Sequence, residues 1–168
     1  LTPVAKAFFS DKGFEVCNLG VQVLGGHGYI REWGLEQLVR DSRIAQIYEG
    51  TNGVQALDLV GRKLLANNGA YAAHLHQLIS HTLETLHDAE WRASLAQALQ
   101  AWQQSTQHLL VNREDAQLSA ANACAYLHLT GHLVYGWQWA QINELCAAKT
   151  ALPETDAFYR HKALTADF

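Results

Sequence analysis

Proline is confined to the two ends of this chain. Only Pro3 and Pro153 occur in 168 residues. Nothing between them removes a backbone donor or locks φ against a helix. Ala, Leu and Gln are frequent in that interval, and all three suit helices. No alternating apolar–polar run bounded by turn residues marks a strand. The chain therefore reads as all-α. Hydrophobic residues make up 49% and charged residues 17%, which supports a packed core and argues against disorder. A formal net charge of −4 leaves no electrostatic footprint for nucleic acid. No apolar run approaches the roughly 18 residues that a membrane span needs. Cys17, Cys124 and Cys146 stand far apart, without the spacing of a disulfide frame or a zinc site. They read as buried, reduced thiols, which implies a reducing compartment and a cytoplasmic location. There is no Met, residue 1 is Leu, and no signal or transit segment is visible. The sequence reads as a piece of a longer protein.

Apolar spacing divides the chain into helices. Val4, Ala7, Phe8, Cys17, Gly20, Val21 and Leu24 predict a first helix over about 3–24, with Pro3 in its first turn and Gly25-Gly26 as its stop. A Gly-rich connection to Gly28 follows. Leu35, Leu38 and Val39 predict a second helix over about 34–44. Ile47-Tyr48-Glu49-Gly50-Thr51 reads as a connector. A third helix begins at Thr51 or Asn52, either of which can cap it. Its expected stripe is Val54, Leu57, Gly61, Leu64 and Leu65, and Asn67-Asn68-Gly69 ends it. Glycine then becomes rare while His, Gln and Ala become common. That shift places a boundary between a unit over 1–69 and a helical extension over 70–168. The extension is expected to hold helices over about 71–87, 90–111 and 117–149. A last segment, 156–168, starts a helical pattern and looks cut short.

Two stretches could carry chemistry. Glu49 sits in a short connector after the apolar Ile44 and Ile47. It is either an exposed loop carboxylate or one that projects into an apolar cleft, where desolvation would make it a serviceable base near neutral pH. Gly50 beside it would let a ligand approach the backbone closely. Gly25-Gly26-His27-Gly28 is either a helix stop and turn or a loop whose N–H groups receive a phosphate or cofactor edge. It is not a dinucleotide fingerprint, because no strand precedes it.

Taken together, these phrases resemble a known family. Gln22-Val23-Leu24-Gly25-Gly26, Gly28-Tyr29, Arg40-Asp41 with Arg43-Ile44, and Ile47-Tyr48-Glu49-Gly50-Thr51 stand in the order and spacing of the C-terminal signature of the acyl-CoA dehydrogenases. Those are flavoproteins with an N-terminal helical domain, a middle β-domain and a C-terminal four-helix bundle. The likeness is close over about 1–67 and corresponds to the second half of that bundle. The remainder is more loosely similar to longer members with an extra C-terminal helical domain, the 3-methylmercaptopropionyl-CoA dehydrogenase-like group.

The resemblance implies roles for particular residues. Glu49 would be the catalytic base that takes the α-proton of an acyl-CoA thioester, with a hydride passing from the β-carbon to FAD and a trans-2-enoyl-CoA as product. Tyr48 would flank the thioester and Gly50 would admit it to the backbone. Thr51 and Asn52 would touch FAD. Gln22, Gly25 and Gly26 would contact the adenosine part of FAD in a neighbouring subunit, which implies a homo-oligomer. Arg40, Asp41 and Arg43 would hold the second helix by ion pairing. An electron-transfer flavoprotein would accept the electrons. Many members have Gln where this chain has Gly53. Some have Arg where this chain has Gly61, with Arg62 one residue later, so no role is transferred there. The alternatives are an acyl-CoA oxidase-like flavoprotein and a non-catalytic helical oligomerisation module. The 168 residues alone are expected to be inactive and to bind FAD poorly.

The remaining candidates read as structural. His74, His76, His81 and His87 do not pair at helical spacing and read as solvated, with no metal site. Trp91, Trp102, Trp137 and Trp139 read as core or subunit interface. Cys124 and Cys146 lack an organised partner for nucleophilic chemistry.

Overall fold

The structure of the chain, a computed structural model, describes residues 1–150 and 157–166. Pro153 and the first residue of the expected last helix, Asp156, lie outside them. Among the described residues there are eight α-helices and no strand. They are α1 (Thr2–Leu24), α2 (Gly26–Tyr29), α3 (Leu35–Arg43), α4 (Asn52–Leu57), α5 (Ala70–Thr85), α6 (Ala89–Val111), α7 (Ala116–Thr150) and α8 (Ala157–Ala166). No described helix is long and apolar enough to cross a membrane.

The helix ends follow their chemistry. Pro3 lies in the first turn of α1, where a missing N–H costs nothing. Asp88 starts α6 by accepting from the N–H groups of Glu90 and Trp91 at 3.0 and 3.1 Å. Asp115 does the same for α7 through the N–H of Leu118 at 2.9 Å. Asn68 and Gly69, both with positive φ, end the helical run that α4 begins. The expected Gly-rich connector at residues 25–28 is itself mostly helical. Only Gly25, at φ 58° and ψ −138°, breaks the run, and Gly26 opens α2.

The third expected helix differs inside. Residues Asp58–Leu65 form a π-helix, with Ala66 N–H donating to the Gly61 carbonyl five residues back. The wider turn displaces the apolar face. Ala56, Leu59, Val60 and Leu64 are buried, whereas Val54 and Leu57 of the expected stripe are exposed.

The core joins α1 to the later helices. Val4, Ala7 and Phe8 of α1 meet the π-helix and the α5–α7 layer in one apolar cluster. A buried polar seam fastens α6 to α7. Trp102 Nε1 donates to Thr130 Oγ1 at 2.9 Å, and Thr130 Oγ1 donates to the Tyr126 carbonyl at 2.7 Å. Thr106 Oγ1 meets Tyr126 Oη at 2.8 Å. Burial pushes the Tyr126 phenol up to about 12, against the pull of the Thr106 and Thr130 hydroxyls. Trp102 is thus core. Trp91 and Trp137 pack against the core, and Trp137 Nε1 donates to Thr82 Oγ1 at 2.7 Å.

Three expectations need correction or refinement. Of the cysteines only Cys146 is buried; Cys17 is half-buried and Cys124 exposed, because α7 turns residue 124 away from its core face. Among the described residues Arg40 and Asp41 form no ion pair. Asp41 accepts instead from Gln37 within α3 at 2.7 Å. Arg43 holds on by standing 5.9 Å over the Phe14 ring of α1 and by donating to Gln46 Oε1 at 3.1 Å. His74, His81 and His87 are exposed and His76 half-buried. His87 nevertheless has a partner, since its ring and its backbone N–H both meet the Glu144 carboxylate of α7. Burial raises the Glu144 carboxyl, and the His87 donors outweigh it and hold the group below its usual value.

Candidate active site

Glu49 lies in the loop between a 3₁₀ turn, Ile44–Gln46, and the start of α4. Its own backbone is left-handed, with φ 54°. Gly50 follows at φ 83°, a region glycine enters without the strain a β-carbon brings. A Cβ at Gly50 would stand 2.9 Å from Gln55 Nε2, and that same amide donates to the Glu49 carbonyl at 3.3 Å. Two consecutive left-handed residues turn the chain sharply at Glu49. Thr51 then caps α4, its Oγ1 accepting from Val54 N–H at 3.4 Å and keeping its own O–H to donate elsewhere.

Within this chain the loop faces solvent. Glu49, Gly50 and Thr51 are exposed. So are the apolar neighbours Ile44 (52%), Ile47 (48%), Tyr48 (50%) and Val54 (54%). The carboxylate therefore stands on an apolar rim without opposing walls. Of the two sequence readings, the exposed loop carboxylate describes the chain by itself.

Asp11 of α1 fastens both ends of the loop. Its Oδ1 accepts from Gln46 Nε2 at 2.7 Å and from Asn52 Nδ2 at 2.6 Å. Asn52 also donates to the Ala7 carbonyl and accepts from Lys6 Nζ at 2.9 Å. Its side chain is thus spent on α1. Asp11 Oδ2 lies 3.0 Å from His128 Nε2 of α7. One α-turn along α7, His132 has its imidazole held below the usual value, first by burial and then by the positive Lys12. Lys12 pairs with Glu15 at 2.7 Å and lowers that carboxyl. Sequence reasoning missed this cluster, since Asp11, Gln46 and His128 are ordinary polar residues far apart in the chain.

Gln22, Gly25 and Gly26 stand elsewhere. They close the far end of α1, about 16 Å along the helix axis from Asp11 at 1.5 Å per residue. All three are exposed, and a Cβ on either glycine would meet nothing. Between the two places runs an open groove of about 1080 Å³. Phe14, Asn18 and Val21 of α1 line one side, Val39 and Arg43 of α3 the other, and Ile47 its end beside Tyr48. The structure therefore brings Tyr48, Glu49, Gly50, Thr51 and Asn52 together and keeps Gln22, Gly25 and Gly26 apart. No group of three His, Cys, Asp or Glu side chains among the described residues could hold a metal.

Comparison with known proteins fits the two halves of the chain to two models. Residues 1–65 match "Acyl-CoA dehydrogenase, C-terminal domain". Residues 71–168 match "Acetyl-CoA dehydrogenase C-terminal like". The 3-methylmercaptopropionyl-CoA dehydrogenase of Ruegeria pomeroyi is 37% identical over 99% of this chain and 29% of its own length. The broad-specificity linear acyl-CoA dehydrogenase FadE5 of Mycobacterium tuberculosis is 27% identical over all of this chain and 30% of its own. The mitochondrial isobutyryl-CoA dehydrogenase of Bos taurus is 45% identical over 39% of this chain and 15% of its own. The chain thus spans less than a third of each of these relatives. The shorter alignment spans 65 residues, whereas the longer ones run through the whole chain, extension included. With two matches that between them run through nearly every residue, the chain belongs to the acyl-CoA dehydrogenase family.

Proposed function

We propose that this chain is the C-terminal helical part of an FAD-dependent acyl-CoA dehydrogenase, and that Glu49 is its catalytic base. What supports this most is the backbone at Glu49, a left-handed non-glycine residue that lifts one carboxylate onto an apolar rim. Strain of that kind, in a loop fastened at both ends, suits a residue aimed at a reacting atom. The relatives' names support dehydrogenation of an acyl-CoA as the reaction class, here α,β-dehydrogenation of the thioester to a trans-2-enoyl-CoA.

The chain's own residues then have distinct tasks. Glu49 takes the α-proton on its carboxylate. Its backbone N–H serves as a donor to the thioester oxygen, which makes that proton acidic enough to remove. Tyr48, Ile44, Ile47 and Val54 give the carboxylate an apolar floor; walls from the rest of the longer protein would exclude water and tune the base. Gly50 leaves room for the thioester. FAD, when bound, takes up the β-hydrogen with its electron pair. Gln22, Gly25 and Gly26 fit a cofactor edge, since nothing crowds the two glycines and Gln22 is exposed. Their separation along α1 from Asp11, which fastens the Glu49 loop, suits service to the FAD of a neighbouring subunit, hence a homo-oligomer. Thr51 retains a hydroxyl for FAD. Asn52, already engaged with α1, positions the loop instead. An electron-transfer flavoprotein as acceptor and a cytoplasmic location rest on the family and on the cysteines alone.

The test is Glu49→Gln in the full-length flavoprotein, mixed without oxygen with straight- and branched-chain acyl-CoAs. The wild type should bleach its flavin with at least one of them, and the variant should keep its flavin yet bleach at least about a thousandfold more slowly. A variant that bleaches as fast as wild type places the base elsewhere. A full-length wild type that holds no flavin makes the chain a helical module.

A further inference from the structure

The loop that carries Glu49 is held by one carboxylate that answers to three elements. Asp11 takes Gln46 just before the loop and Asn52 just after it on the same oxygen, at 2.7 and 2.6 Å. Only residues 47–51 lie between those anchors, so the position of Asp11 fixes where the loop starts and where it ends. The other Asp11 oxygen, Oδ2, lies 3.0 Å from His128 Nε2. His128 belongs to α7, inside the part matched by the second family model. Asp11, Gln46 and Asn52 all belong to the part matched by the first.

The approach of α7 at this point is itself tightly set. A Cβ on Gly131 would fall 2.3 Å from the Phe8 ring of α1. That ring also stands edge-on to His128 and His132, at 5.9 and 4.9 Å between centroids. Residues 128, 131 and 132 lie on one face of α7. The ring of Phe8 thus indexes α7 against α1, and His128 comes out of that register level with Asp11. Two donors on Oδ1 restrain the Asp11 carboxylate and still leave it some swing about χ2. The His128 contact removes that freedom.

We propose that His128 is a positioning residue for the Glu49 loop: through Asp11 it fixes Gln46 and Asn52, and the C-terminal extension thereby orients the base in the neighbouring helical unit. The extension acts on catalysis by holding the carboxylate that holds the loop. The approach is a close polar contact, 3.0 Å between Nε2 and Oδ2, and an N–H presented there by residue 128 can serve it with or without a charge. The proposal rests on Glu49 being the base, but its central observable, the order of the loop, does not.

The experiment compares wild type, His128→Ala, His128→Gln and Asp11→Ala in the full-length, FAD-loaded protein. Gln places an amide N–H near the position of Nε2 and carries no charge. Amide hydrogen exchange is followed at residues 47–57 and, as a reference, in α5 and α6. His128→Ala and Asp11→Ala should raise exchange at 47–57 by about tenfold or more and leave α5 and α6 unchanged. The same two variants should slow flavin bleaching at saturating acyl-CoA by about tenfold, with half-saturation within about twofold of wild type. His128→Gln should restore both. Unchanged exchange at 47–57 in His128→Ala overturns the proposal. So does a loss of protection spread equally over α5 and α6, or a His128→Gln protein no better than His128→Ala. If Glu49→Gln bleaches normally while His128→Ala still loosens the loop, the assignment of the base fails and the loop contact stands.

Discussion

Glu49 adopts a φ of 54° and thereby sets its β-carbon against the following carbonyl. A non-glycine residue in that region costs roughly 1–2 kcal/mol. Among the described residues Asn68, at φ 53°, is the other such residue, but asparagine tolerates the conformation and ends a helix there. A glutamate lacks that tolerance, which fits the proposal that its side chain serves as the base. Glu49→Gly should therefore make the protein more stable. The gain should be about 0.5–1 kcal/mol, the relief of strain less the extra freedom glycine has in the unfolded chain. The midpoint of urea unfolding should rise with an unchanged slope. The same variant should lose flavin bleaching altogether. A glycine variant less stable than wild type would mean that the carboxylate makes a stabilising contact and that the backbone is not strained on its behalf.

Between elements, the α1–α7 crossing turns on a residue without a side chain. Gly131 sits inside a helix, where Ala would normally be better by roughly 0.5–1 kcal/mol. Here its β-carbon would overlap the root of the Phe8 ring, which cannot swing away cheaply. Gly131→Ala should cost about 1–3 kcal/mol through overpacking. Phe8→Leu alone should also destabilise, and the double variant should recover at least about 1 kcal/mol of the sum, because the smaller side chain clears the new methyl. Additive losses in that cycle would show that the two residues do not set each other's place. No sequence signal announces this crossing, since a glycine in a helical pattern looks only like a weak spot. The elements themselves were legible, as long apolar periodicity and the Asn67-Asn68-Gly69 stop are local features. The π-helix at Asp58–Leu65 was not, because a change of hydrogen-bond register leaves the composition untouched. At the site, Tyr48 to Thr51 were legible as a phrase shared with the family. The Asp11 cluster was not, for it joins positions 11, 46, 52 and 128 that only the folded chain brings together.

Across the whole molecule, burial is uneven. Helices α5 to α7 share a core with Leu75, Ile79, Leu99, Trp102 and Leu127 fully enclosed. Helix α3 buries no residue at all, and in α2 only Gly28 is buried. Val16, Leu19 and Val23 of α1 are exposed, as are Tyr29, Trp33 and Leu38 beyond it. Helix α3 rests on α1 only through half-buried residues such as Leu35 and Val39, which is thin support for nine residues in water. Of the exposed residues, Tyr29 lines the groove, and Gln22, Gly25 and Gly26, proposed to serve the FAD of a neighbouring subunit, lie in the same least buried part of the chain. Local opening should follow that division. In the 168-residue chain alone, amides over residues 25–43 should exchange at least about a hundredfold faster than those of α6 and the first half of α7. In the full-length protein with FAD, protection at 25–43 should rise by a similar factor while α6 hardly changes, because ligand and partner contacts stabilise only what they touch. The chain alone should correspondingly retain no stoichiometric flavin. Equal protection of residues 25–43 and α6 in the isolated chain would show that α2 and α3 are complete as they stand, and would remove the reason to seek their missing contacts in a cofactor and a second subunit.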